Sequence, residues 1–209
     1  MKRLSTLAGI VIAAALSVRG DTIVYSNIGA VGTGTDPISS FGPLYDSFST
    51  GSSFGAISSL DLFLGVGTPT DGDTITVGLY ADSSTSPGSF LATLGTINDS
   101  DLSSTPADIS VSLTSNPVLA PGTRYWIQLF TDGSGIWQWS DDISGVGVSG
   151  EYFANMNGVF SNSDSPYQMQ VALAGSAPEP STFAPMLGGL GILLAFAVRM
   201  RASLRVRGD

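Results

Sequence analysis

Three groups of residues in this chain have types and spacings that could do chemistry. The first is a set of carboxylates in glycine- and serine-rich segments, Asp132, Asp141, Asp142 and Glu151. Two of them facing each other across a cleft would suit glycoside hydrolysis, one as acid and one as base or nucleophile. The second is Asp71-Gly72-Asp73, with Asp99 and Asp101 spaced alike, which offers oxygen ligands for calcium. Neither pair matches a twelve-residue calcium loop with its closing Glu, and an Asp-Gly turn accounts for Asp71 and Asp73 without any metal. The third is Trp137-Gln138-Trp139 followed by Asp141. On a strand the two indoles share a face, where sugar rings could stack while the amide and carboxylate fix hydroxyls. The alternative is that both tryptophans close one end of a core, since tryptophan is mostly buried.

Composition removes other chemistry. The chain has 209 residues with neither Cys nor His, so Ser–His–Asp and Cys–His catalysis and thiolate metal clusters are absent. Residues 21–177 hold a single basic group, Arg124, against 15 acids, a net charge of -14. So acidic a body repels phosphate, which argues against nucleic-acid partners. It contains no Lys, so Schiff-base chemistry is also missing. Acids in such loops ordinarily cap turns and keep a surface soluble. The expectation is therefore a protein that is not an enzyme and carries no cofactor. Arg124 is expected to pair with a nearby Asp. Asn98-Asp99-Ser100 fits a glycosylation sequon.

The elements that must position these groups read as strands. Ile75, Val77 and Leu79 alternate with Thr74, Thr76 and Gly78; Ile109, Val111 and Leu113 alternate with polar residues; Tyr167, Met169, Val171 and Leu173 alternate with glutamines. In 125–130 both alternating sets are apolar or aromatic apart from Gln128, which predicts a strand buried on both faces. Further strands are expected near 22–28, 45–50, 57–65, 89–97, 135–140 and 151–155, about nine or ten in all. No run has helical spacing with caps. The pattern predicts an all-β domain, an antiparallel β-sandwich of jelly-roll-like form over residues 21–174.

The ends differ from this body. Residues 1–20 read as a signal peptide: Lys2 and Arg3, an apolar stretch Leu7–Leu16, then small residues with cleavage after Ser17 or Gly20. Ten apolar residues are too few to span a bilayer core of ~30 Å as a helix. Residues 175–182 form a linker containing Pro178-Glu179-Pro180. Residues 183–198 form an apolar segment that would reach about 24 Å as a helix, near the lower limit for a transmembrane helix. Residues 199–209 are basic, with Arg199 and Arg201 directly after that segment. The positive-inside rule places this tail in the cytoplasm and the acidic body outside.

Pro178-Glu179-Pro180, the short glycine-bearing segment and the following arginines together resemble the PEP-CTERM sorting signal of Gram-negative bacteria. The resemblance covers residues 177 to about 201; the tail Ala202–Asp209 is longer than usual. It implies a protein held in the inner membrane until exosortase, an integral-membrane cysteine protease, reads the Pro-Glu-Pro element and removes the helix. It further implies delivery to the outer surface or extracellular space, with a structural or interaction role linked to exopolysaccharide. A permanent single-span anchor facing the periplasm is the alternative. The body, through Thr22–Asn27, VGLYADSSTSPGSFLATLG (77–95), LAPGTRYWIQL (119–129) and Trp137-Gln138-Trp139, is similar to the choice-of-anchor domains, most like the one labelled R. That family brings no activity and no catalytic residues to transfer.

Overall fold

Alternation of apolar and polar side chains over five to twelve residues at a time, broken by Gly, Pro, Asp and Ser, leaves the backbone few options but extended strands joined by turns. A computed structural model of the chain describes residues 20–32, 34–38, 42–66, 72–131, 137–141, 148–162 and 166–175. Over these residues it is nearly all β, with antiparallel pairing throughout. The strands are β1 (Thr22–Ser26), β2 (Gly34–Pro37), β3 (Leu44–Ser49), β4 (Gly55–Val66), β5 (Thr74–Asp82), β6 (Pro87–Asn98), β7 (Ala107–Ser110), β8 (Val118–Leu119), β9 (Arg124–Phe130), β10 (Trp137–Asp141), β11 (Tyr152–Asn155), β12 (Gly158–Ser161) and β13 (Met169–Leu173). A single 3₁₀ turn, Asp99–Asp101, follows β6. Apart from Gly20 and Gly175 at their inner ends, the segment read as a signal peptide and the Pro-Glu-Pro linker lie outside the described residues, as do the apolar segment 183–198 and the basic tail. Among the described residues no helix is long and apolar enough to cross a membrane.

The strands form two sheets. One is built on the long strand β4. Asp61 pairs with Gln170 and Ser110, and Leu64 pairs with Ala107 and Trp139. So β7 runs along one edge of β4, while β13 and then β10 run along the other. Strand β1 continues outward from β13, and β2 from β10. The other sheet has the order β12-β11-β3-β9-β5-β6. Its hairpin β5–β6 turns through Ser84 and Thr85 at φ of 53° and 69°. The amides of Ser83 and Ser86 donate to each other's carbonyls across that turn. Both central residues thus occupy the left-handed region that two-residue hairpins require, although neither is the Asn or Gly that occupies it at low cost.

One hydrophobic core draws on the inward residues of both sheets. Leu60, Leu62 and Leu64 of β4 and Met169, Val171 and Leu173 of β13 contribute from one side. Leu44, Phe48, Ile75, Val77, Leu79, Tyr125, Ile127 and Leu129 contribute from the other. Each fully buried side chain of this size stabilises the fold by about 1.5–3 kcal/mol relative to exposure. The faces expected for 75–79 and 167–173 are the buried ones. Val111 lies just beyond β7 and is buried, with Ile109 and Leu113 packed partly against the core.

The strand count exceeds the nine or ten expected. β2 has the sequence GTDP, with no apolar residue to reveal it, and every residue of β12 is exposed. β9 is buried on both faces only as far as Trp126: Gln128 is half-buried and Phe130 is exposed. The reason lies in the neighbours, because Gly78 stands opposite Gln128 in β5 and offers no side chain to cover it.

Candidate functional site

Period two places Tyr45 and Ser47 of β3, Arg124, Trp126, Gln128 and Phe130 of β9, and Gly78, Tyr80 and Asp82 of β5 on the face of the six-stranded sheet turned away from the core. Register then sets them beside one another. Tyr45 is opposite Gln128, Gln128 is opposite Gly78, Trp126 is opposite Tyr80, and Tyr80 is opposite Phe90 of β6.

The middle of this face is an ordered aromatic row. Gln128 Nε2 donates to the Tyr45 hydroxyl at 2.6 Å, and the Tyr80 hydroxyl donates to Gln128 Oε1 at 3.1 Å. The rings of Tyr45 and Tyr80 meet edge-to-face with centroids 5.6 Å apart, and those of Tyr80 and Phe90 at 5.4 Å. Both spacings suit the ring quadrupole. A Cβ on Gly78 would stand 3.1 Å from the Tyr80 ring and 3.2 Å from Gln128 Oε1, so the glycine lets the row close across it. Burial pushes the Tyr45 hydroxyl pKa up, although the Gln128 hydrogen bond opposes the rise.

Beside the row lies a charged cluster. Trp126 is fully buried yet separate from the hydrophobic core, and its indole N–H donates to Asp82 Oδ1 at 2.9 Å. Asp82 Oδ2 faces Arg124 at 3.8 Å, while Arg124 Nε donates to Glu151 Oε2 at 3.1 Å. The guanidinium also donates to the Gly150 carbonyl and lies 5.0 Å from the Tyr152 ring centroid. Ser47 Oγ donates to Glu151 Oε2 at 2.6 Å and accepts the Tyr152 amide. The expected pairing of Arg124 with an Asp is thus the longer of its two ion pairs.

A third polar group sits on the inner side of the same sheet. Asp46 points inward between Leu44 and Phe48 and is wholly buried. Its Oδ1 accepts from Asn162 Nδ2 at 2.7 Å, and the same amide nitrogen donates to the Tyr25 hydroxyl at 3.1 Å. Burial holds the Asp46 carboxyl pKa well above the ordinary range. The Ser47 and Tyr167 amides pull it down, and the Glu151 charge adds to the rise. Burial likewise raises the Tyr25 and Tyr167 hydroxyls. Tyr167 donates to Asp36 Oδ2 at 2.7 Å.

The residues singled out from sequence are dispersed. Glu151 is buried and bound to Ser47 and Arg124. Asp141 ends β10 in the other sheet, and Asp132 and Asp142 lie outside the described residues. Trp137 and Trp139 are the register partners of Val66 and Leu64, two core residues; their side chains are outside the described set, as is that of Asp141. Asp71 is outside as well. Asp73 and Asp99 are brought together, because the Asp99 amide donates to the Asp73 carbonyl and Asp99 Oδ2 accepts from the Gly72 amide at 3.0 Å. Among the described residues no group of three or more acids is placed to hold a metal ion. Pro178, Glu179, Pro180, Arg199 and Arg201 also fall outside.

Sequence reasoning missed the row of Tyr45, Tyr80, Phe90 and Gln128. Its members come from four strands, and only the sheet register unites them. Compared with known proteins, the chain matches no family model and no curated sequence.

Proposed function

We propose that this chain is an exported surface or extracellular-matrix protein of a Gram-negative bacterium, with a structural or interaction role linked to exopolysaccharide. Residues 1–20 direct export and residues 183–198 hold the chain in the inner membrane. Exosortase then cuts near Pro178-Glu179-Pro180, with Arg199 and Arg201 on the cytoplasmic side. The body is a β-sandwich, jelly-roll-like in form; two antiparallel sheets sharing one core support that reading. The observation that carries the function is the order of features behind the last strand. An acidic β body ends at Leu173, and a proline-bracketed glutamate, an apolar segment and arginines follow. Proline fixes its own backbone and biases the preceding residue to extended forms, so the Pro-Glu-Pro element presents a strip that a protease can grip.

The test is intact mass and cell fractionation of the wild type beside a Glu179→Ala variant. The reading expects the wild type outside the cell without residues 183–209, and the variant at full length in the membrane. Full-length protein in the inner membrane in both cases would overturn it in favour of a permanent anchor.

A further inference from the structure

We infer that the outward row Tyr45–Gln128–Tyr80–Phe90 is a contact face for a neutral polysaccharide.

Phe90 is 55% exposed, and Phe130 on the same face of the sheet is also exposed. Leaving an aromatic ring in water forgoes about 1.5–3 kcal/mol that burial would supply. A single such residue needs no explanation, but apolar groups gathered on one face mark an interaction site. This face also has a feature that an apolar docking groove lacks. Its rings alternate with hydroxyl and amide groups that are already oriented by one another. The Tyr45 hydroxyl accepts from Gln128 and keeps its own proton to donate; the Tyr80 hydroxyl donates to Gln128 and keeps lone pairs to accept. The edge-to-face ring pairs hold this arrangement without a ligand, so little ordering remains to be done on binding.

The chemistry that fits is a polymer with C–H faces and hydroxyl edges. Sugar rings supply both: their axial C–H bonds lie on the electron-rich aromatic face, and their hydroxyls both donate and accept. Charge narrows the class. The row carries no formal charge, and the body around it carries -14, with its single cation already paired to Glu151 and Asp82. A uronate or sulfated polymer would be repelled. The inference rests on the exported reading for which polysaccharides the face would meet.

The test uses the full chain in non-ionic detergent, run through native gels that carry a neutral β-glucan, a neutral galactomannan, the neutral exopolysaccharide fraction of the producing cells, or the anionic polyuronate alginate. The expected result is retardation by at least one neutral polymer and none by alginate. Phe90→Ala and Tyr80→Ala should each weaken the retardation about tenfold, as loss of an aromatic anchor does. Val118→Ala, at an exposed apolar residue of β8, should leave it unchanged. Phe90 is 55% exposed but its ring also packs on Tyr80, so thermal melts are run beside the gels and retardation is compared at a temperature where each variant is fully folded. Absence of retardation by every neutral polymer, retardation by alginate alone, or retardation of the Phe90 and Tyr80 variants as strong as that of the wild type would each overturn the inference. So would retention on the extracellular matrix that survives glycosidase digestion, which would assign the face to a protein. Processing at 178–180 is read from intact mass and does not enter these gels, so the export reading and this one can fail separately.

Discussion

Arg124 Nε sits 3.1 Å from Glu151 Oε2, and this contact occupies the single cation of residues 21–177 with a carboxylate that is almost wholly buried. The ion pair fastens the start of β9 to the residue that leads into β11. Ser47 of β3 completes it from between the two strands.

Removing the arginine should therefore cost more than a surface charge would. Arg124→Ala leaves Glu151 buried with only the Ser47 hydroxyl and strips the cation from the Tyr152 ring. The expected loss is about 3–5 kcal/mol, the range for breaking one side of a buried pair. Urea unfolding measures it. The double variant Arg124→Ala/Glu151→Gln should recover part of the loss, and a double variant as unstable as the single one would refute the account.

Asp46 makes stability fall as pH rises. Its folded pKa is raised above the unfolded value of 3.8 by burial, so the folded state holds the proton more tightly than the unfolded chain does. Below pH 3.8 the residue carries no penalty. The penalty grows as pH climbs from there through the folded value. Asp46→Asn removes the titration and can keep the Asn162 hydrogen bond. The two proteins should melt alike near pH 4 and diverge by at least ~2–4 °C at pH 7, the equivalent of about 1 kcal/mol in a domain of this size. A constant difference across that range would show that Asp46 is ionised in the fold.

The β5–β6 turn stores strain at a β-branched residue. Thr85 holds φ at 69°, where an L side chain crowds its own backbone, and the Asp82 carboxylate steadies it by accepting the Thr85 amide at 3.3 Å. Thr85→Gly should raise stability by about 1 kcal/mol, since glycine adopts this conformation without that clash. Thermal melts check it, and a lowered melting temperature would mean that the Thr side chain makes a contact worth more than the strain.

Gly95 tells the opposite story. A Cβ there would lie 2.6 Å from the Ser112 carbonyl oxygen and 3.0 Å from Val111 Cγ1. The segment after β7 presses on β6 at this point, its Thr114 amide donating to the Leu94 carbonyl at 2.7 Å. The obstacle is backbone and cannot rotate away. Gly95→Ala should cost about 1–3 kcal/mol by overpacking, with Leu94 and Ile97 in the core beside it. Unfolding in urea at unchanged cost would show that 111–115 moves freely over the sheet edge.

How much of this could be read before the fold was known depends on where each residue's evidence lies. Ile75, Val77 and Leu79 announce their strand because burial on one face writes itself into alternate positions. Gly158-Val159-Phe160-Ser161 has no buried face to write, since all four residues are exposed. The outward row was illegible for a different reason. Tyr45 and Gln128 are 83 positions apart, and their contact exists only through the pairing of β3 with β9. Trp137-Gln138-Trp139 was conspicuous because its residues are adjacent in sequence, and adjacency carries no information about which sheet neighbours lie alongside.

The pairing of Thr22 with Leu173 brings the two ends of the body to one place, on neighbouring strands. Mechanically these ends are unequal. Tension between them would part β1 from β13 one hydrogen bond at a time, as a zipper opens. Tension applied to the C-terminal side alone enters β13, which is clasped by β1 on one edge and β4 on the other. A tether at that end pulls on a strand gripped from both sides, so its ladders share the load and the outward face of the other sheet can be held without the body opening.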